Sequence, residues 1–154
     1  MTLPASLWNA VPFDRMHAAD RVALEAACTV VVVEPGQPVY RPGDPSTGAY
    51  VLLDGCVELS DATMSTLRGR EAFQLNLPGT LLSKGALLDP TTHRRACVAV
   101  ERTTLLVLER ATFQQAFLRA APFARALIDH IVAFTSAEVR ELNAAIHTLL
   151  SEPG

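Results

Sequence analysis

The residues best suited to chemistry lie together in the stretch Leu81 to Val100, LLSKGALLDPTTHRRACVAV. A short helix start near Ser83, a loop through Pro90 and the arginine pair Arg94–Arg95 entering a strand have the shape of a phosphate-binding turn. Lys84 stands where a carboxylate would be sought. An ammonium donates hydrogen bonds and accepts none, so it cannot receive a ligand hydroxyl. Catalytic constellations are absent elsewhere. His17, His93, His130 and His147 fall mostly in helical or loop sequence and never pair at metal-ligand spacing. Neither a Gly-x-Ser-x-Gly nucleophile motif nor a P-loop occurs, and the expected protein is not an enzyme. Cys28, Cys56 and Cys97 are odd in number and widely spaced, which argues against a disulfide framework or a zinc site. They read as reduced, buried small residues.

The elements that must position this stretch follow from the rest of the chain. With 154 residues, nearly half of them apolar, one core of ordinary size is expected and a single domain over 1–154. From Leu7 to Ala27 the apolar spacing predicts short helices, with Asp20 as an N-cap, so that 1–28 forms a helical preface. From Thr29 the text becomes short strands separated by Gly, Pro and Asp, which predicts a β-roll over 29–110. After Arg110 the turn signals almost vanish. Two helices are expected over 111–152, broken near Pro122, with a second cap at Ser136. Trp8 and the phenylalanines at 113, 117, 123 and 134 read as packing between helices and roll. The fold class is mainly β with flanking helices, a jelly-roll-like β-roll closed by a long C-terminal helix.

Charge and hydropathy narrow the partners. The net charge is −3, with no run of Lys and Arg to track a phosphate backbone, so nucleic acid is not an expected partner. The longest apolar run, CTVVVV, is too short to cross a bilayer, and MTLPASLWNA lacks the features of a signal peptide. The expectation is a cytoplasmic protein without membrane contact. Cupin enzymes share such a β-roll, but they bind metal through clustered histidines that this sequence lacks.

The order of helix, β-roll and helices resembles the cyclic nucleotide-binding domain family, which includes bacterial catabolite activators, kinase regulatory subunits and nucleotide-gated channels. In PGQPVYRPGDPSTGAYVLLDGCVELS, Gly36, Gly43 and Gly55 look like that family's glycine turns, with Tyr50 opening the strand before LLDG. LPGTLLSKGALL falls at the family's turn into its phosphate-binding cassette. RRACVAVERTTLLVLERATFQQAF is similar to the cassette arginine, its strands and the next helix. The resemblance runs from about Leu7 to Leu150. It implies a regulatory sensor with no cofactor, taking cyclic AMP or another cyclic nucleotide and signalling through a partner protein.

Carried over by resemblance, Arg95, followed by Ala96 and Cys97, occupies the position that binds the cyclic phosphate. Backbone N–H groups around Gly85, Ala86 and Leu87 would share the anion. The family's Gly-Glu pair reads Ser83-Lys84 here, which removes the carboxylate that accepts the ribose 2′-hydroxyl. A lost hydrogen bond to a charged group is worth about 1.5–3 kcal/mol, or one to two decades of affinity. Asp89 or Glu101 are the candidate substitutes. Lys84 is either a replacement in a pocket that no longer binds ligand or a second positive charge for a different anion. In the first case the domain acts as a dimeric interaction module. His93 and Arg94 read as surface residues, and Cys97 as inert core.

Val139, Leu142, Ile146 and Leu149 step by three and four residues, the seam of a coiled coil, and the resemblance implies a homodimer through this helix. The alternative is that the same stripe packs on the chain's own roll. Relatives that regulate transcription continue into a helix-turn-helix. The chain ends at Gly154, and no DNA-binding domain is expected.

Overall fold

The computed structural model describes residues 2–61 and 72–151; the stretch 62–71 of the expected roll and residue 152 of the expected C-terminal helices lie outside the described residues. Helix α1 (Ala5–Trp8) and a 3-10 turn (Phe13–Arg15) lead into α2 (Ala18–Ala27). Among the described residues eight strands follow: β1 (Thr29–Val33), β2 (Pro38–Tyr40), β3 (Gly48–Asp54), β4 (Val57–Asp61), β5 (Ala72–Leu75), β6 (Leu81–Leu82), β7 (Arg95–Ala99) and β8 (Thr103–Glu109). Helices α3 (Arg110–Leu118) and α4 (Pro122–Ser151) complete the described chain. The strands form two antiparallel four-stranded sheets, ordered β1-β8-β3-β6 and β2-β7-β4-β5. The expected fold class is the one observed.

Strand alternation builds two cores from one sheet. In β3, Tyr50 and Leu52 face the second sheet, joining Tyr40, Val57, Leu59, Cys97 and Leu105. Ala49, Val51 and Leu53 point the other way, onto Phe13, Leu24, Phe113 and Leu127 of the helical layer. A strand covered on both faces reads as the continuous apolar run AYVLL, which period-two patterning alone would not announce. Burying each leucine here contributes about 1.5–3 kcal/mol.

The glycine turns hold their expected places, with positive φ at Gly36, Gly43 and Gly55. Gly55 has a packing reason as well. A Cβ there would lie 2.6 Å from Thr103 Oγ1 and 2.7 Å from the Arg102 carbonyl oxygen. The turn is fixed by Thr103, which is fully buried and accepts the Cys56 N–H at 3.2 Å.

Four local expectations are corrected. Asp20 is not the N-cap but the third helical residue, where its carboxylate accepts the His17 N–H at 3.2 Å. Tyr50 is the third residue of β3, not its first. Helix α4 runs through Ser136 without a break, so no second cap forms. Phe117 and Phe134 are each 44% exposed, whereas Phe113 and Phe123 are buried.

Candidate functional site

A cavity of about 1050 Å³ opens between the second sheet, the 3-10 turn Lys84–Leu87 and α4. Leu59, Phe73 and Leu75 form its sheet wall, while Leu77 to Leu82 form one rim. Ser83 to Ala86 and Thr91 to Arg95 form the polar side, and His130 and Phe134 reach it from α4. Its size is at the upper end of the range of small-molecule sites, about 300–1,000 Å³.

The polar side is held by the neighbouring loop. Ser46 Oγ donates to the Thr91 carbonyl at 2.8 Å, the Thr91 N–H returns to Ser46 Oγ at 3.2 Å, and the His93 N–H donates to the Asp44 carbonyl at 2.8 Å. Arg110 reaches across from the start of α3, donating to the carbonyls of Ser46 at 2.9 Å and Ala86 at 3.2 Å. These bonds fix the segment that delivers Arg95 into β7. Arg95 shares a strand face with Cys97 and Ala99, both buried, so the pleat directs the guanidinium toward the roll interior at the open end of the strand. It lies 5.6 Å from the Phe73 ring centroid, within cation–π range.

Ser83 adopts the left-handed conformation, φ 57° and ψ 38°, directly before the 3-10 turn. Glycine takes that conformation at no steric cost, and serine does not. Lys84 leans out to α4, its Nζ 3.1 Å from the Phe134 ring centroid. His93 stacks on Tyr40 with centroids 3.9 Å apart and planes 8° from parallel, and its Nδ1 lies 3.4 Å from Ser83 Oγ. Burial pushes the His93 pKa below the usual imidazole value, against the field of Asp44. Burial, helped by the Lys84 charge, does the same to His130.

Not all the sequence candidates meet in this cavity. Ser83, Lys84, Gly85, Ala86 and Arg95 line it. Leu87 is fully buried in the helix-side core, where it anchors the turn. Cys97 is fully buried between the sheets, its thiol pushed up to about 12 by burial. Ala96 belongs to the opposite face of β7 and does not line the cavity. The Ala86 N–H donates to the Ser83 carbonyl at 3.0 Å, closing the turn. Neither Asp89 nor Glu101 lines the cavity. His93, read from sequence as surface, is 8% exposed and lies beside Ser83. Tyr40 and Phe73 escaped sequence reading, and His130 and Phe134 were read there only as a helical histidine and a packing residue, because these rings meet only once the sheets and α4 have packed. Among the described residues, no group of three His, Cys, Asp or Glu side chains is placed to hold a metal ion.

The model of the cyclic nucleotide-binding domain family matches residues 30–120, which span the roll and α3. The chain belongs to that family. Comparison with curated proteins gives no match. Among solved structures, the chain is similar to a cyclic nucleotide-binding domain from Methylobacillus flagellatus, with a TM-score of 0.74 and 16% identity over 97% of this chain and 82% of that one. The Thermus thermophilus catabolite activator protein gives a TM-score of 0.72 and 22% identity over 94% of this chain. The chain spans 62% of that protein's length. A cAMP-binding acyltransferase from Mycobacterium smegmatis gives a TM-score of 0.58 and 24% identity over 71% of this chain and 34% of that one. At these identities the likenesses establish the fold.

Proposed function

We propose that this domain is a non-catalytic regulatory module whose cavity takes a small anion through Arg95, binds cyclic nucleotides weakly and passes its state to a partner protein. The observation that carries this reading is the position of Arg95, on the interior face of β7 at a rim that also presents Ser83 and Lys84. A guanidinium forks onto two anionic oxygens and remains charged at any physiological pH. The Mycobacterium smegmatis relative, described as cAMP-binding, makes cyclic AMP the first probe. Its ribose would meet Lys84 where the family pattern has a carboxylate, and the expected loss is about one to two decades of affinity. An anion drawing the Lys84–Leu87 turn toward Arg95 would shift α4 through the Lys84–Phe134 contact, and the partner would read that shift.

A thermal-shift screen with cyclic AMP, cyclic GMP and cyclic dinucleotides tests the reading, because a ligand at 100 times its Kd adds about 2.7 kcal/mol of stability. The expected result is a shift only at millimolar nucleotide, lost in Arg95→Ala. A second reading, a dimeric interaction module without a ligand, is favoured by the exposed apolar residues Val139 and Ile146 on α4. Absence of any shift, with a stable dimer, would select it.

A further inference from the structure

The cavity's lining combines cations, aromatic rings and an apolar wall. Each of two cations is seated against an aromatic ring: Arg95 is 5.6 Å from the Phe73 centroid and Lys84 is 3.1 Å from that of Phe134. Leu59, Leu75 and Leu77 give the same cavity an apolar wall. Among the described residues, the cavity lining includes lysine, arginine and histidine but no aspartate or glutamate. The hydroxyl donors of a sugar placed here would meet the neutral groups of Ser83, Thr91 and Thr92 but no carboxylate, and a hydrogen bond to a charged group is worth about 1.5–3 kcal/mol. A flat ring bearing one carboxylate has no such donors. Its ring would lie against Phe73 and the leucines, and its carboxylate would take the Arg95 fork.

We propose that the cavity selects an organic monoanion with an aromatic body and no sugar. This rests on the reading that the cavity led by Arg95 is the ligand site, and names the class of ligand for it. The probe is 1-naphthoate, with its neutral analogue 1-naphthalenemethanol and cyclic AMP as comparisons, each titrated calorimetrically into the full chain. Naphthoate is expected to bind at least about ten-fold more tightly than either comparison, a difference of about 1.4 kcal/mol. Arg95→Gln should weaken it by a similar factor while leaving the folded circular dichroism spectrum unchanged, because Arg95 is exposed at the start of its strand. Phe73→Ala should also weaken it. Tighter binding of cyclic AMP than of naphthoate, dependent on Arg95, overturns the proposed selectivity but upholds the anion site. Equal binding of naphthoate and its alcohol, or naphthoate binding indifferent to Arg95→Gln, overturns it too. No binding of any of the three overturns both the selectivity and the reading beneath it.

Discussion

Ser83 and Lys84 stand side by side, yet each departs from the family pattern in a different physical way. Ser83 holds the left-handed conformation that glycine adopts freely, at a cost of about 1–2 kcal/mol for an L residue. Lys84 changes the chemistry, because its ammonium rests on Phe134 and adds to the depression of the His130 pKa. Both cavity histidines hold their protons less tightly in the folded chain than the ordinary value of 6.5. The unfolded chain therefore takes up these protons first as pH falls, and their contribution to stability is lost from 6.5 downward through the lowered folded-state values. Urea midpoints are expected to be level above about pH 7 and to decline as the pH falls below about 6.5. His130→Gln should remove part of that decline; an unchanged profile would contradict the assignment. Sequence alone marked Ser83, Lys84 and Arg95 because their neighbours in the chain carry the pattern. Phe134 was hidden because its seat on Lys84 depends on the path of α4.

At the scale of elements, the glycine turns and the succession of short strands were legible because each turn needs a backbone conformation that few residues adopt. Gly55 is the clearest case, combining φ of +104° with contact against Arg102 and Thr103. Gly55→Ala is expected to cost about 2–3 kcal/mol in chemical denaturation, from conformational strain and a backbone clash together. Gly36→Ala is the control, since nothing lies within 4 Å of a Cβ added there, and it should cost only the conformational part, about 1 kcal/mol. Equal losses in the two variants would show that close packing at Gly55 is not what fixes the turn. The unbroken course of α4 was less legible. Ser136 and the acidic residues after it resemble a cap, but a helix already nucleated and packed through Phe123, Leu127 and Ile131 continues through such a signal.

For the whole molecule, the two halves of α4 behave differently. Its first turns are buried against the helical layer, whereas Val139 and Ile146 are 49% and 45% exposed; the side chains of Leu142 and Leu149 lie outside the described residues. Packing of this stripe on the chain's own roll is not observed at Val139 or Ile146. A homodimer through the outer half of α4 is therefore expected, with light scattering giving twice the chain mass at tens of micromolar and Val139→Glu with Ile146→Glu returning the monomer. A monomeric wild type would remove the idea. Among the described residues, no helix is long and apolar enough to cross a membrane.

The central claim is that Arg95 retains an anion fork in a cavity whose ribose acceptor has become Lys84. Calorimetric titration of cyclic AMP into wild type, Ser83→Gly/Lys84→Glu and the same double variant carrying Arg95→Ala tests it most directly. Weak binding by wild type, a gain of about ten- to a hundred-fold in the double variant and loss of that gain without Arg95 are predicted. Tight binding by wild type, or no gain in the repaired variant, would contradict the account.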